Sequence, residues 1–313
     1  METALHIHAR SLKYFDMIRR CGSIRGAARR LHLASSAVNR QLLQLEEELG
    51  NPLFERLSGG LRLTPAGEIF SHHVTTVLQD EQRMVGELDA LKGLRRGELS
   101  VVSVEGLNVA LLPDVLQQML TRYPRLRITV RSTGSNEAAK AVADGDADVA
   151  LGYNISRNEQ LQQYSVGRFA LGIIVTPDHP LASQATVKFA ECTSYPLILP
   201  GPELSIRTQL QPLILNSKKP LTVLLESASV ELAKRFAIRG MGLAFQTRIG
   251  IEEELASGKL VHVPLKAPQQ LISELGVYVR SGRSLPASLD AFIRIIDEEI
   301  TSLASAEMSQ SSA

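Results

Sequence analysis

The sequence predicts a small, mainly helical domain at the N-terminus and a larger α/β domain after it. Three observations support this division. Apolar residues recur at three- and four-residue intervals up to residue 49, and again in a long stretch from residue 65. From Gly97 onward, short apolar strands alternate with helical stretches, which is typical of a parallel α/β sheet. Residues 1–64 hold 10 Lys/Arg against 6 Asp/Glu, whereas the remainder holds 24 against 27.

The composition is that of an ordinary globular protein. Of the 313 residues, 44% are hydrophobic and 21% are charged, which excludes collagen-like and disordered chains. The longest uncharged apolar run, Phe169 to Val175, is much shorter than the roughly 18 residues that cross a bilayer. Cys21 and Cys192 form neither a disulfide framework nor a metal-binding spacing, and no export signal is visible. We therefore expect a cytoplasmic protein with no membrane contact, no metal and no cofactor.

Two short helices are predicted first. Apolar residues from Leu12 to Ile18 recur three apart, and this indicates a helix over Ala9–Cys21 that ends at Gly22. Ser23 is expected to cap a second helix, because its hydroxyl can accept a backbone N–H of the first turn. Consecutive alanines on the apolar side of that helix allow a neighbouring helix to approach closely.

A third helix follows the turn at residues 32–34 and ends at Gly50. Ser35 or Ser36 is expected to cap it. Its apolar residues from Val38 to Leu49 are spaced four, three and four apart, so they face the first two helices and leave polar residues outward on the first turns. Polar side chains at the start of a helix can bond base edges or phosphates, as in a recognition helix.

The segment from Ile24 to Leu43 contains four arginines and no carboxylate. A polyanion can bind such a segment, although most basic runs are solvated helix faces, and a purely structural three-helix bundle remains an alternative. Arg40 is the strongest candidate because a guanidinium bonds either phosphate or guanine in two places. The candidate nucleic-acid contacts are Arg25, Arg29, Arg30, Ser35, Ser36, Asn39 and Arg40.

A short hairpin, or wing, is predicted next, because Ser58-Gly59-Gly60 precedes the alternation Leu61-Arg62-Leu63.

The motifs AARRLHLASSAVNRQL, LEEELGNPLFER and LTPAG, within residues 10–70, resemble the winged helix-turn-helix of LysR-type transcriptional regulators. The resemblance implies that residues 1–64 bind double-stranded DNA. Ala34-Ser35-Ser36 and Asn39 depart from the family's common start of the recognition helix, which bears on base preference and not on fold.

A long linker helix is predicted over residues 65–93, with Thr64 as its N-cap and Pro65 at its first position. Apolar residues from Phe70 to Leu91 fall on a four-three spacing over three heptads, with Glu81 at one seam position. This pattern favours a coiled coil, and the alternative is a helix packed on its own domain. In the family that the sequence resembles, this helix pairs subunits, so a homo-dimer or tetramer is expected.

Residues 97–303 resemble the two-lobed, periplasmic-binding-protein-like effector domain of the same family, through GELSVVSV, LLPDVLQQMLTRYPRLRITV and ADGDADVALGY. We expect lobe I to comprise about residues 97–165 and 267–303, and lobe II about residues 166–266. One strand is predicted over Phe169 to Thr176, and residues 304–313 are expected to be a flexible tail.

Ligands of open α/β sheets bind beyond the carboxyl ends of the strands, so the polar residues at those ends are the candidate effector contacts. Hydroxyls and free amides at helix N-termini suit a carboxylate ligand. Glu105 would repel such a ligand unless Arg207 or another base neutralised it, and each residue also fits a role as a helix cap or turn former. The set comprises Ser103, Glu105, Asn108, Ser132, Thr133, Ser135, Asn136, Gly201, Arg207, Ser227 and Ser229.

Other functions fit less well. No Ser/His/Asp assignment or metal-ligand spacing in the sequence is persuasive, and it contains no phosphate-binding GxxxxGK(S/T) or GxGxxG motif, so an enzyme is not expected. A solute-binding protein would lack the basic helical domain, and a constitutive architectural DNA binder would show no response to a small molecule. The sequence therefore predicts a transcription factor that binds DNA and a small-molecule effector of unknown identity, and that contacts RNA polymerase if it is an activator.

Overall fold

The computed structural model describes residues 9–91 and 97–311, in two compact units that divide between Leu91 and Lys92. Three parts of the predicted domains lie outside the described residues: residues 1–8 of the DNA-binding domain, the end of the linker helix at residue 93, and residues 312–313 of the tail. No helix of the described chain combines the length and the hydropathy that a membrane crossing requires.

The first unit contains four helices and a two-stranded antiparallel hairpin. Their bounds are α1 Ala9–Cys21, α2 Ile24–Leu31, α3 Ser35–Leu49, β1 Phe54–Leu57, β2 Gly60–Leu63 and α4 Pro65–Leu91. The predicted bounds of α1 are confirmed, and Gly22 after it has a φ of 59°, a left-handed conformation that favours glycine. The predicted cap of α2 is also confirmed, since Ser23 Oγ accepts the Gly26 N–H at 3.1 Å.

The N-cap of α3 differs from the prediction. Ala34 occupies that position without a side-chain hydrogen bond, and its carbonyl accepts the N–H groups of Ala37 and Val38 at 3.0 and 3.2 Å. The prediction that Ser35 or Ser36 caps the helix was therefore wrong. The tight turn at His32, which has a φ of 56°, brings the chain into helical geometry one residue earlier than a serine cap requires. Both serines lie in the first turn of α3.

The core of the first unit joins α1, α3, the hairpin and the first half of α4. Phe15 and Phe70 meet edge to face with ring centroids 4.9 Å apart, and Val74 is buried beside them. The wing is anchored to the turn after α1, since the Leu61 N–H donates to the Gly22 carbonyl at 2.8 Å. The small residues of α2 serve close packing as expected, with Ala27 and Ala28 buried against α3.

The linker helix α4 has two different halves. Thr64 caps it as predicted, with Oγ1 accepting the Gly67 N–H at 3.0 Å. Its first half packs on its own domain, and just beyond the midpoint Glu81 pairs with Lys13 of α1 at 2.8 Å. In its second half, Met84 and Leu88 are each 48% exposed. The alternative reading of a helix packed on its own domain therefore holds for the first half only.

The second unit contains two mixed sheets with helices on their faces. The first-lobe elements are β3 Gly97–Ser103, a 3₁₀ turn at Glu105–Asn108, α5 Leu111–Arg122, β4 Leu126–Ser132, α6 Ser135–Ala143, β5 Val149–Tyr153 and β6 Leu161–Ala170. The elements that follow are β7 Gly172–Val175, β8 Val187–Lys188, α7 Phe189–Cys192, β9 Leu197–Pro200, α8 Ser205–Leu215, β10 Val223–Ser227, α9 Val230–Ile238, β11 Leu243–Gln246, α10 Glu252–Ala256, β12 Val261–Lys266, β13 Ile272–Arg280 and α11 Ala287–Ser311.

The strand order is β4-β3-β5-β13-β6 in the first sheet and β10-β9-β11-β7-β12-β8 in the second. In the first sheet β3 is parallel to β4 and β5, whereas β13 is antiparallel to both of its neighbours. The single strand predicted over Phe169 to Thr176 was wrong, because the chain crosses between the sheets at Leu171. Residues before it pair with β13, and residues after it pair with β11 and β12.

The predicted flexible tail was also wrong over its described part. Helix α11 continues to Ser311, and the Glu307 carboxylate accepts the Ala170 N–H at 2.6 Å. This bond satisfies a backbone donor at the end of β6, and it holds the last turns of α11 against the first lobe. The helix buries one apolar face, with Leu289, Phe292, Ile296 and Ile300 in the lobe's core.

Candidate DNA-binding surface and effector cleft

The seven predicted nucleic-acid contacts lie on α2 and the first turns of α3, and we call them the arginine surface. Six of them are exposed and Asn39 is partly exposed. Within the described part of the chain, none of the seven side chains makes a hydrogen bond or an ion pair. Spacings of four residues place Arg25 with Arg29, and Ser36 with Arg40, on common helix faces. The arginine surface is thus positively charged and unbonded.

Several other arginines of the same unit are paired. Asp16 is 8% exposed, and it accepts Arg19 Nη2 at 2.9 Å and Arg20 Nε at 2.7 Å. On the wing, Arg62 pairs with Glu55 at 2.7 Å. The absence of carboxylates between residues 24 and 43 therefore has a structural consequence, since the arginines of that segment have no local partner and remain available to an external anion.

The structure adds one candidate to the sequence-based set. Arg56 on β1 is exposed and forms no hydrogen bond or ion pair with a described residue. The sequence held a signal for it, because the predicted hairpin contained a second arginine beside Arg62. The basic residues predicted to contact DNA all came from the helices, so Arg56 was missed.

In the second unit, the ends of β3 and β4 form the first-lobe side of the cleft. Asn108 Nδ2 donates to Ser132 Oγ at 2.6 Å, and the Thr133 N–H donates to the Ser103 carbonyl at 3.0 Å. The Asn108 carboxamide oxygen is buried, and no described residue donates to it. A buried acceptor without a donor is costly, so this oxygen is a candidate ligand contact.

Glu105 bridges the two lobes. Its Oε1 accepts Ser229 Oγ at 2.9 Å and its Oε2 accepts the Val230 N–H at 2.7 Å. Val230 is the first residue of α9, whose positive dipole end attracts a carboxylate. Glu105 thus occupies a helix N-terminus that was predicted to suit a carboxylate ligand. Arg207 does not neutralise it, since Arg207 lies 3.3 Å from Glu226.

The lobes meet closely at two further points. A Cβ on Gly134 would lie 2.6 Å from the Glu203 carbonyl oxygen, and a Cβ on Gly250 would lie 2.4 Å from the Gly106 carbonyl oxygen. The buried Tyr153 hydroxyl lies 3.2 Å from Thr247 Oγ1, and burial raises the pKa of this phenol well above its usual range. The facing ends of the lobes are therefore in contact.

Most of the other predicted effector contacts already have protein partners. Ser135 Oγ accepts the Tyr153 N–H at 3.0 Å, and Ser103 Oγ donates to the adjacent Val104 carbonyl at 3.1 Å. Ser227 Oγ accepts the Ser229 N–H at 3.0 Å. Thr133 forms a hydrogen bond with Glu137, and the Gly201 N–H donates to the Ser227 carbonyl. The Asn136 side chain is exposed and has no described partner.

Two cavities lie outside this set. One, of about 460 Å³, is lined in the first lobe by Ile155, Tyr278, residues 156–159, Leu161 and Gln163. The other, of about 330 Å³, lies where β6 and α11 meet α10. None of the eleven predicted effector contacts lines either cavity.

Family comparisons agree with this two-part architecture. The description "Bacterial regulatory helix-turn-helix protein, lysR family" matches residues 9–68, and "LysR substrate binding domain" matches residues 92–301. The chain belongs to the LysR family of transcriptional regulators. It therefore carries a helix-turn-helix that binds DNA and an effector domain that binds a small molecule.

Curated relatives match along nearly the whole chain. The RuBisCO operon transcriptional regulator of Allochromatium vinosum is 26% identical over 284 residues, which is 91% of this chain and 94% of the relative. An uncharacterized HTH-type transcriptional regulator of Mycobacterium bovis, Mb2303c, is 29% identical over 298 residues, which is 92% and 94% of the two chains.

Solved structures share the fold. A full-length OxyR variant from Pseudomonas aeruginosa is 20% identical with a TM-score of 0.68, covering 94% of this chain and 95% of that one. HinK, a LysR family regulator from the same species, is 24% identical with a TM-score of 0.56, covering 95% and 99%. At these identities the likeness establishes the architecture and not the ligand.

Proposed function

We propose that this LysR family regulator contacts operator DNA through the arginine surface, in pairs supplied by a homo-oligomer. The observation that carries the proposal is the set of seven exposed or partly exposed side chains on α2 and α3 without a described protein partner. Exposed, unpaired guanidinium groups displace counterions from phosphates without first breaking ion pairs of their own. The N-terminal turn of α3 presents Ser35, Ser36 and Asn39 as donors and acceptors for base edges.

Arg40→Ala tests the DNA contact. Genomic footprinting identifies a bound site, and fluorescence anisotropy then measures affinity for that duplex. We expect the substitution to weaken binding by about 1 to 3 kcal/mol if Arg40 reads a base. Arg294→Ala is the matched control, since it removes an exposed arginine from α11 in the second unit, where an exposed pair with Asp290 contributes little. Equal affinities of the two variants would remove Arg40 from the interface.

The exposed second half of α4 supports the homo-oligomer. Met84 and Leu88 are one turn apart and half exposed, and Val85 is 49% exposed beside them. A second copy of the same helix covers such a stripe in a coiled coil, and it also presents two recognition helices to one DNA site. Dimer and tetramer both satisfy this arrangement.

The small-molecule effector binds, in this proposal, in the cleft between the lobes. Two observations support that place: the undonated Asn108 oxygen and the bond of Glu105 across the cleft. An effector changes the lobe arrangement only if it binds the two arrangements with different affinities. An effector that binds only when the Glu105 bond is broken, or only when it is intact, has different affinities for the two arrangements.

A metabolite screen by thermal shift tests the effector site, with compounds drawn from the pathways of the neighbouring genes. A compound that binds at the cleft is expected to raise the melting temperature of the wild type more than that of Asn108→Ala. Gln160→Ala is the control, because it deletes an exposed amide of the same lobe. A shift of equal size in all three proteins would place the compound elsewhere.

We further propose that the protein acts in the cytoplasm, is not an enzyme, and contacts RNA polymerase if it activates transcription.

A further inference from the structure

A second ligand site is indicated by the 330 Å³ cavity at the junction of the lobes. Its floor is apolar and comes from three segments that are remote in sequence, with Phe169 and Ile249 buried and Leu255 and Leu303 partly buried. The volume lies at the lower end of the range for ligand pockets, about 300 to 1,000 Å³. It therefore suits a ligand of the size of a single amino acid.

Three charged side chains line the same cavity. Arg248 is partly buried, and it forms no hydrogen bond or ion pair with any residue that the structure describes. Glu252 accepts the Gly250 N–H at 2.9 Å, and Glu307 accepts the Ala170 N–H at 2.6 Å. The wall thus carries one guanidinium without a hydrogen bond or ion pair and two carboxylates that each accept a backbone amide.

Electrostatics and burial both act on this group of charges. Burial raises the pKa of the Glu307 carboxyl above its ordinary value, although the Ala170 amide and the positive charge of Arg248 act in the opposite direction. A ligand that brought only an anion would meet two carboxylates, and one that brought only a cation would leave Arg248 unpaired in partly desolvated surroundings. A ligand with both charges and an apolar body satisfies every wall of the cavity.

We infer that this cavity binds an apolar α-amino acid, with its carboxylate on Arg248, its ammonium group toward Glu252 and Glu307, and its side chain on the apolar floor. The site is separate from the proposed effector cleft, since the two share no residue. It joins the first lobe, through Phe169 and Leu303, to the second lobe, through Arg248 and Leu255. Occupancy therefore stabilises one arrangement of the lobes, as a second input to the regulator.

Isothermal titration calorimetry of the full-length protein tests the inference with L-leucine and L-phenylalanine as probes. We expect saturable binding with a Kd of about 1 mM or tighter for at least one of them. Phenethylamine lacks the carboxylate and 3-phenylpropanoate lacks the ammonium group, so each is expected to bind at least tenfold more weakly than L-phenylalanine. Failure of both amino acids to bind, or equal binding by a singly charged analogue, overturns the inference.

Variants locate the bound amino acid. Arg248→Gln is expected to weaken binding at least tenfold, and Ala306→Phe, at an exposed position beside the cavity, is expected to abolish it. Thr301→Phe is the matched control, because it adds the same ring to an exposed position on another face of α11. Binding that survives both Arg248→Gln and Ala306→Phe overturns the assignment. Loss of binding in Asn108→Ala with retention in Ala306→Phe overturns it also, by placing the amino acid in the effector cleft.

Discussion

The arginine surface and the effector cleft contain similar polar side chains but differ in what those side chains already bond. On α2 and α3 the seven predicted contacts have no described partner, whereas in the cleft Glu105, Ser135, Ser227 and Ser229 all bond protein groups. A surface of unbonded side chains binds its ligand without rearrangement. A cleft whose groups are bonded across the lobes binds only by exchanging those bonds, and this exchange links occupancy to conformation.

The largest expected effect comes from dissociating the oligomer that presents two arginine surfaces to one DNA site. Met84→Glu with Leu88→Glu places like charges on the exposed stripe of α4, so we expect dissociation to monomers. Loss of the second recognition helix is expected to weaken operator binding by about 10² to 10⁴-fold. Sedimentation and anisotropy measure the two effects. Substitution of the exposed Thr76 and Asp80 by Glu and Asn on the same helix is the control.

If the Met84/Leu88 double variant remained an oligomer, the coiled-coil assignment for the second half of α4 would be wrong. If it became a monomer and kept full affinity for the operator, one arginine surface would be sufficient for binding. Effector binding is expected to persist in the variant, since the cleft belongs to the second unit.

An intermediate effect is expected from acid on the second unit. His262 is buried, its Nε2–H donates to the Gln246 carbonyl at 3.0 Å, and burial lowers its pKa to about 4. A histidine in the unfolded chain has a pKa of about 6.5, so between these two pKa values the unfolded state takes up a proton and the folded state does not. The resulting stability is present above about pH 6.5, and it is lost as the pH falls toward 4.

Urea unfolding of the wild type and His262→Gln at pH 7 and pH 5 measures this effect. The free energy of unfolding of the wild type is expected to fall by about 2 kcal/mol more than that of the variant. Parallel losses in both proteins would show that His262 is not the group that titrates. The comparison between the two proteins removes the contribution of other titrating groups.

The helices of the DNA-binding unit were predictable because their signals are local. The apolar spacing from Leu12 to Ile18 and the glycines at 22 and 50 gave the bounds of α1 and the end of α3. The cap of α3 was missed by one residue, because a preceding turn with left-handed His32 set the start of the helix and no side-chain signal marks that turn.

In the second unit, the missed features depend on residues that are distant in sequence. The crossing at Leu171 is set by pairing with β12 and β13, about a hundred residues later in the chain. The bond from the Ala170 N–H to Glu307 joins β6 to the last turns of α11, and the cavity beside it combines β6, α10 and α11. The predicted strand ends identified the cleft residues one by one, but the sequence did not reveal which groups they contact. Glu105 bonds the first amide of α9, and Arg207 pairs with Glu226.

The smallest expected effect comes from weakening the hydrogen bonds by which Glu105 joins the two lobes. Glu105→Gln keeps the shape of the side chain but removes its charge, so the bonds to Ser229 and to the first amide of α9 weaken. We expect the free energy of unfolding to fall by about 1 kcal/mol. Asn136→Ala, at an exposed residue of the same cleft, is expected to change it by less than about 0.5 kcal/mol. Because the substitution removes a negative charge from the start of α9, it is also expected to strengthen the binding of an anionic effector. Unchanged stability and unchanged effector affinity together would show that the lobes are held by their backbone contacts, with Glu105 contributing nothing to their closure.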